Sequence, residues 1–212
     1  MQTTKRIPKL LDLCCGLGGW SIGFHRAGFK CLGVDVLDLG YPYDLILADV
    51  CAWQYQGKID VVTASPPCTE WSQLTRLAIY RGQRGPIEIE KALKIVEGCI
   101  RIIKEVNPQF WILENVAGGE KYITPILGEP KLKRGPWRLW GDFPSFLLPE
   151  NPKMMKKTDG GISSIRSKKD SNGAQDKLNS VFAFNPIRSW FRAKIPLPLS
   201  VPLGEACREA LL

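Results

Sequence analysis

The sequence has 212 residues, a length that suits one α/β domain or one domain with a small appendage. With 44% hydrophobic and 24% charged residues, it is not a wholly disordered chain, and no apolar run approaches the ~18 residues that a membrane-spanning helix needs. The formal net charge is +8, from 29 Lys and Arg against 21 Asp and Glu, which favours a polyanionic partner.

Strands and helices are predicted to alternate along the first half of the chain. Short apolar runs predict strands at residues 8–14, 30–36, 59–65 and 110–113. Helices are predicted at 20–29 and at 86–106, where apolar side chains recur at helical spacing between Pro86 and Asn107-Pro108. A further short apolar run ends at Asp49. The alternation predicts parallel βαβ units and a doubly wound, mostly parallel sheet.

The composition changes after Gly118. Residues 119–158 are rich in Pro, Gly, Lys and Trp, and residues 159–180 have the polar, Gly- and Ser-rich composition of a mobile loop. The final part, 186–212, contains several prolines before a helix-like stretch at 204–212. Residues 107–212 carry 16 basic and 10 acidic side chains, net +6, so most of the positive charge lies in this half.

The cysteines are expected to be reduced. Their number is seven, with no CxxC spacing and a single histidine in the chain, which disfavours a disulfide framework or a zinc site. Reduced thiols fit a cytoplasmic protein, and the first residues lack the long apolar stretch of a secretory signal. We therefore expect a cytoplasmic protein with neither a metal nor a membrane as partner. One thiol is then available as a nucleophile.

Three predicted strands end in chemically distinctive groups. The first leads into the glycine-rich turn 15–19, the third into Pro66-Pro67-Cys68, and the fourth into Glu114-Asn115. In an open parallel sheet the carboxyl ends of the strands share one edge, and ligands bind there. The glycine turn, a thiol and a carboxyl group are thus predicted to face one crevice.

The glycine turn and the acidic strand ends each have two interpretations. Gly16, Gly18 and Gly19 let the backbone approach a ligand closely, but their spacing is not GxGxxG, and an ordinary tight turn is the alternative. Asp35 could accept hydrogen bonds from ribose hydroxyls, or be a surface aspartate. Asp49 could accept from an adenine amino group, or cap a helix.

Cys68 and Glu114 are the candidate reactive groups. Two prolines precede Cys68 and make its turn rigid, which suits a nucleophile, whereas a small hydrophobic residue in a turn is the alternative. Glu114 follows an apolar run, so burial is expected to raise its pKa and favour proton donation to a ring nitrogen. A salt-bridged glutamate is the alternative there. The other cysteines lie in apolar surroundings and are predicted to be core residues.

These motifs resemble those of the cytosine-5 methyltransferases that use S-adenosylmethionine. LDLCCGLGG, SPPCTEWS and LENV are similar to three family motifs, occur in the family's order, and lie within roughly residues 9–118. The resemblance implies a Rossmann-like methyltransferase fold with a cofactor-binding and catalytic core at 1–118. It also implies a reduced, irregular target-recognition region at 119–185 and a C-terminal segment, 186–212, that returns to the core.

The resemblance implies covalent catalysis on cytosine in DNA. Cys68 would attack carbon 6 as a thiolate, which requires nearby positive groups to lower the pKa of a thiol that is ordinarily about 8.5. Glu114 would protonate or hydrogen-bond ring nitrogen 3, and carbon 5 would then take the methyl group. Asn115 would position Glu114 and the Cys68 loop, and Pro67 would shape that loop.

The resemblance also implies a cofactor site. The residues expected to hold S-adenosylmethionine are Asp12, Cys14, Gly16, Gly18, Gly19, Trp20, Ser21, Asp35, Val36, Asp49, Val50 and Pro66. Three positions depart from the usual motifs: Cys14 replaces a phenylalanine, Asp35 a longer glutamate, and Thr69 a glutamine.

The resemblance leaves the target-binding residues less defined. A base inside a duplex must be flipped out or presented on a single strand. The residues expected to contact the nucleic acid are Ser72, Arg76, Arg81, Arg84, Arg134 and Arg138, with the basic stretch 150–194 adding phosphate contacts. A Gln-x-Arg-x-Arg motif is missing, and Lys133, Arg134 and Arg138 are the candidates for its cationic role. The short interval 119–185 predicts a short recognition sequence, weak specificity or a separate specificity protein.

Three alternatives to a DNA methyltransferase remain. Relatives of this fold methylate RNA with the same chemistry, and the motifs do not separate the two substrates. A non-catalytic relative that binds cofactor or nucleic acid is disfavoured by the intact Cys68 and Glu114. A dinucleotide oxidoreductase is disfavoured by the glycine spacing. The motifs fit a restriction-modification enzyme, a stand-alone enzyme and a mobile-element enzyme equally well.

Overall fold

The computed structural model describes residues 6–72, 80, 85–148 and 195–212. The strands in these residues are β1 (Lys9–Leu13), β2 (Lys30–Asp35), β3 (Asp44–Leu47), β4 (Val61–Ala64), β5 (Phe110–Val116), β6 (Leu132–Arg134) and β7 (Trp137–Asp142). The helices are α1 (Gly19–Arg26), α2 (Ile89–Val106), α3 (Glu120–Leu127) and α4 (Leu197–Ala210), with a 3₁₀ turn at Ala117–Gly119. Among the described residues, no helix combines the length and apolar character that crossing a membrane requires.

The described strands form one sheet in the order β3-β2-β1-β4-β5-β7-β6. Strands β1 to β5 are parallel to their neighbours, whereas β7 runs antiparallel between β5 and β6. This confirms the predicted doubly wound, mostly parallel sheet. Because the strand order reverses between β1 and β4, the carboxyl ends of these two strands border the crevice in which such sheets bind ligands.

Strand β5 is longer than the sequence predicts. It continues past residue 113 to Val116 because β7 pairs with it, with Leu139 opposite Glu114 and Arg138 opposite Asn115. The prediction that the strand ends at 113 was therefore wrong. A local apolar pattern stops at the first charged side chain, whereas the hydrogen-bond ladder depends on a partner strand more than twenty residues away in sequence.

Residues 120–142 add α3, β6 and β7 to the core sheet. By composition this stretch is only the start of an irregular, Pro- and Gly-rich region, although the family resemblance suggests a later strand and an Arg-bearing motif in GPWRLWGDFP (135–144), where β7 lies. Two short antiparallel strands with bulky aromatic residues and interspersed glycines have no clear period, so the pattern hides them. The predicted mobile loop at 159–180 and the basic stretch 150–194 lie outside the described residues.

Two helices also begin elsewhere than predicted. Helix α2 begins at Ile89 rather than at Pro86, and the Glu88 N–H donates to the Glu70 carboxylate at 2.9 Å. Helix α4 begins at Leu197 rather than at residue 204. A proline in the first turn does not prevent this, because the N–H that it lacks would have no partner within the helix at that position.

The core lies on both faces of the sheet. On one face α2 packs through Val96, Cys99 and Ile103. On the other face α1 and α4 pack together through Phe24 and Leu203, and their glycines permit a close approach. A Cβ atom at Gly23 would lie 2.5 Å from the Ser200 Cβ atom, which is far inside van der Waals contact. Helix α1 therefore holds the segment from residue 195 onward against the sheet.

Candidate active site

The turn after β1 has a left-handed backbone. Cys14, Gly16 and Gly18 have φ angles of 53°, 50° and 72°. A Cβ atom at Gly16 would meet nothing within 4 Å, whereas one at Gly19 would lie 2.6 Å from the Ile195 backbone nitrogen. The turn thus presents its backbone at Gly16 to open space and packs against the returning C-terminal segment at Gly19. Both glycines have a physical reason to be there.

Asp12 lies beneath this turn rather than at its surface. It is 1% exposed, and its two carboxyl oxygens accept hydrogen bonds from Ser21 Oγ at 2.7 Å and Thr63 Oγ1 at 2.8 Å. The Ser21 hydroxyl also lies 2.6 Å from the Tyr41 hydroxyl. Burial raises the pKa of Asp12 to about 7. Asp12 and Ser21 therefore connect β1, β4 and α1 under the glycine turn.

Asp35 stands at the carboxyl end of β2, beside the glycine turn. It accepts hydrogen bonds from the Gly16 N–H at 2.9 Å and the Leu37 N–H at 3.2 Å. The neighbouring Val36 and Leu37 are 62% and 49% exposed, so two apolar side chains border the carboxylate. Asp35 is 8% exposed and accepts two of the about four hydrogen bonds that a carboxylate can accept.

Asp49 lies in a local turn after β3. Its side chain accepts the Cys51 N–H at 2.8 Å, and its carbonyl accepts the Ala52 and Trp53 N–H groups. The neighbouring Val50 is buried in the same hydrophobic core as the apolar face of α2. The side chain therefore makes the turn-stabilising bond that aspartate commonly makes with the backbone two residues on.

Cys68 is half-buried on the turn that follows β4. Asn115 Nδ2 donates to the Pro66 carbonyl at 3.0 Å, which ties this turn to β5. Burial, the larger cause, and an ionised Glu114 together raise the pKa of the Cys68 thiol to about 11. The thiol is therefore protonated at neutral pH. Among the described residues, no cation is seen to lower the pKa of this thiol.

Glu114 projects from within β5 and is 7% exposed. Burial raises its pKa to about 8, and a hydrogen bond with the Ser65 hydroxyl opposes part of that rise. The rise that the sequence predicts is thus present, and its cause is burial. At neutral pH Glu114 is mostly neutral and carries a proton that it can donate. The structure brings this acid and the Cys68 thiol together at one edge of the sheet.

Some residues of the site are not evident from the sequence. Ser65 accepts the Trp20 indole N–H at 3.0 Å and also bonds Glu114, so it joins α1 to the acid. Trp71 donates to Asn115 Oδ1 at 2.6 Å. Ser65 and Trp71 both lie within SPPCTEWS, and that motif is the signal that could have drawn attention to them. Tyr41 comes from the turn before β3 and carries no such signal.

Lys133 and Arg138, two of the three candidate cationic residues, are engaged with carboxylates. Arg138 Nε lies 2.5 Å from Glu120 Oε2, and Lys133 Nζ lies 2.5 Å from Glu120 Oε1 and 2.8 Å from a Glu129 oxygen. Arg134 is half-buried at the end of β6. The Ser72 N–H donates to the Cys68 carbonyl at 3.0 Å. The remaining predicted nucleic-acid contacts, Arg76, Arg81 and Arg84, lie outside the described residues.

The comparisons with known proteins agree with the motifs. Residues 44–120 match the family model described as C-5 cytosine-specific DNA methylase. The Type II methyltransferase M.FnuDI of Fusobacterium nucleatum is 32% identical over 120 residues, which are 52% of this chain and 33% of that protein. A probable DNA (cytosine-5)-methyltransferase of frog virus 3 (isolate Goorha) is 32% identical over 107 residues, 47% of this chain and 50% of that protein.

Among solved structures, the chain is similar to a putative DNA modification methyltransferase encoded within a prophage of E. coli. The TM-score is 0.44 at 20% identity, covering 63% of this chain and 45% of that one. The matched regions span between about a third and a half of these curated relatives. The family model and the curated relatives confirm the resemblance that the sequence motifs indicate.

Proposed function

Taking the match to the C-5 cytosine-specific DNA methylase family as the premise, we propose that this chain methylates carbon 5 of cytosine in DNA. The methyl donor is S-adenosylmethionine, and the reaction passes through a covalent bond between Cys68 and the base. The observation that carries the proposal is the pairing of the Cys68 thiol with a buried, protonated Glu114 at the ligand-binding edge of the sheet.

In this proposal Cys68 is the nucleophile that adds to the cytosine ring, and Glu114 is the acid that protonates it. The Cys68 thiolate bonds to carbon 6, and Glu114 gives its proton to ring nitrogen 3, so that electron density moves to carbon 5. Carbon 5 then takes the methyl group. Loss of the carbon 5 proton to water, expulsion of the Cys68 thiolate and return of the ring nitrogen 3 proton to Glu114 restore the ring and the enzyme. Glu114 suits its part because its pKa is near 8, so it donates readily at physiological pH.

A neutral Glu114 also makes ionisation of the Cys68 thiol easier than an ionised one would. An ionised Glu114 raises the pKa of the thiol, whereas a neutral one does not. Bound DNA, a polyanion, would supply no positive charge to the thiol, whereas the sulfonium of the methyl donor would supply one if it bound at this edge of the sheet. The methyl donor carries such a sulfonium and supplies an electrophilic methyl group when bound. We therefore propose that Cys68 ionises in the ternary complex rather than in the free protein.

The glycine turn fits this methyl donor. Gly16 leaves open space above its backbone, and Asp35 keeps acceptor positions for ribose hydroxyls. Exposed Val36 and Leu37 provide an apolar wall on which a flat adenine ring can be buried. Asp12 and Ser21 support the turn from below in this proposal, through their bonds to each other and to Thr63. Asp49 lies at the end of the same sheet edge, beside Val50.

DNA as the partner follows from the family and from the net charge of +8. A cytosine must leave the duplex to reach a half-buried thiol, so we propose that the base is flipped. Arg138 is held by Glu120, so a phosphate or base that used this guanidinium would have to compete with that carboxylate. The short interval 119–185 fits a short recognition sequence, weak specificity or a separate specificity protein. The proposed location is the cytoplasm of a prokaryotic or phage-type host cell.

Incorporation of tritiated methyl groups into duplex DNA and into RNA tests the proposal. We expect incorporation into DNA, its loss in Cys68→Ser, and its retention in Cys51→Ser, which removes an exposed thiol elsewhere. Incorporation into RNA alone would overturn the proposed substrate. Activity of Cys68→Ser equal to that of the parent would overturn the proposed covalent mechanism.

A further inference from the structure

The turn that carries Cys68 is anchored on both sides by one side chain. Before the cysteine, the Pro66 carbonyl accepts a hydrogen bond from Asn115 Nδ2 at 3.0 Å. After it, the Trp71 indole N–H donates to Asn115 Oδ1 at 2.6 Å. The chain from Pro66 to Trp71 is thereby closed into a loop across the Asn115 amide. We call these three residues, Pro66, Trp71 and Asn115, the Asn115 clamp.

The indole fixes the orientation of the Asn115 amide. An indole N–H can only donate, so the amide oxygen must face Trp71. The Val116 N–H donates to the same oxygen at 2.8 Å. The amide NH₂ group is consequently directed to the Pro66 carbonyl, which can only accept. Replacing Trp71 with a side chain that lacks the indole N–H would remove one of the two donors to Asn115 Oδ1. The orientation of the Asn115 amide would then be less strongly fixed.

Trp71 is itself held firmly. It is 1% exposed, and its ring stacks on Tyr122 with centroids 5.6 Å apart and planes at 28°. Its backbone N–H donates to the Cys68 carbonyl at 3.3 Å, so the tryptophan is bonded to the cysteine residue as well as to Asn115. A Cβ atom at Gly119 would lie 2.8 Å from the Trp71 Nε1 atom, so the turn after β5 leaves room for the indole.

We propose that Trp71 is a positioning residue for the nucleophile, acting through Asn115 to set where the Cys68 thiol stands relative to Glu114. The inference rests on the proposed function and adds a residue to its machinery. The proposed role depends on the indole N–H, which donates to Asn115. The aromatic ring itself packs against Tyr122 and the surrounding core, and a phenylalanine ring would keep most of that packing. Geometry errors of about 1 Å at a reacting group cost on the order of a hundredfold in rate, so a small relaxation matters.

Trp71→Phe and Trp140→Phe form a matched pair of variants. Trp140 is also 1% exposed, and its indole N–H donates to the Gly128 carbonyl at 2.9 Å, away from the Cys68 turn. Each variant removes one buried indole N–H and keeps an aromatic ring, so both are expected to lower the melting temperature. Only Trp71→Phe is expected to speed amide hydrogen exchange in residues 66–71 and to lower kcat tenfold or more without changing KM for the cofactor.

The exchange experiment on the full chain decides the proposal independently of activity. We expect Trp71→Phe to have no further effect on exchange in residues 66–71 when Asn115→Ala is already present, since the clamp is then broken. Equal exchange rates of residues 66–71 in Trp71→Phe and Trp140→Phe would overturn the proposal. It would also be overturned if Trp71→Phe sped exchange in the Asn115→Ala variant as much as it does in the parent. A parent protein without methylation of DNA or RNA would overturn the proposed function, while the exchange comparison would still decide the clamp.

Discussion

The Gly16 N–H donates to the Asp35 carboxylate at 2.9 Å and joins the turn after β1 to the end of β2. This bond shapes the glycine turn and orients the carboxylate at the same time. It links the two parts of the proposed cofactor site that lie nineteen residues apart in sequence. The affinity for the methyl donor should therefore depend on the charge at Asp35.

Asp35→Asn is expected to weaken binding of S-adenosylmethionine about tenfold or more, because charge-assisted hydrogen bonds to a carboxylate are worth about 1.5–3 kcal/mol. Isothermal titration of the cofactor measures this. Asp38→Asn is the control, since Asp38 is an exposed aspartate that makes a local bond to the Gly40 N–H at 2.8 Å. Equal affinities in the two variants would show that Asp35 does not contact the cofactor.

Stability should fall as the pH rises from about 5 to 8.5, because of Glu114. Its pKa is raised from 4.5 to about 8 by burial, so the folded state holds a proton that the unfolded state releases. The contribution is fully present below pH 4.5 and is lost as the pH rises through about 8. Glu114→Gln removes this group, so its melting temperature should depend less on pH and exceed that of the parent at pH 8.5.

The stability of the Glu114→Gln variant should still depend partly on pH, because Asp12 also titrates. Burial raises the pKa of Asp12 to about 7, so the same sign applies to it between about pH 4 and 7. Glu97→Gln, on the exposed face of α2, is the control and should follow the parent. Parallel melting curves for the parent and Glu114→Gln across this range would contradict a buried, protonated Glu114.

The close packing of α1 on α4 should make Gly23 intolerant of a side chain. A methyl group there would overlap Ser200, and overpacking of this kind costs typically about 1–3 kcal/mol. Urea denaturation should therefore show Gly23→Ala to be less stable than the parent. Gly85→Ala is the matched control, because a Cβ atom at Gly85 meets nothing within 4 Å. Equal stability of the two variants would mean that α4 does not pack as described.

The sequence predicts the parallel part of the sheet and the main chemical groups at its edge. Strands β1, β2 and β4 are short apolar runs followed by glycine, aspartate or proline, and such local patterns are enough to find them. The raised pKa of Glu114 is also predictable, since a carboxyl group that follows the apolar run FWIL is expected to be desolvated.

The antiparallel edge of the sheet is much harder to predict. Strand β7 is defined by its pairing with β5, and Arg138 faces Asn115 only through that register. The ion pair between Arg138 and Glu120 depends on where α3 packs, so no local pattern could show that this arginine is engaged. Likewise, the bond from Trp71 to Asn115 joins residues 44 positions apart. Such long-range contacts require the tertiary structure.

In the proposed mechanism, the chain methylates cytosine in DNA while Cys68 is covalently bonded to carbon 6 of the base. Bisulfite sequencing of DNA from cells that express the protein tests it most directly, with Cys68→Ser and Cys51→Ser expressed at equal levels. We predict methylated cytosines with the parent and with Cys51→Ser, and none above background with Cys68→Ser. Unmethylated DNA in cells that express folded parent protein, or methylation that survives Cys68→Ser, would contradict the account.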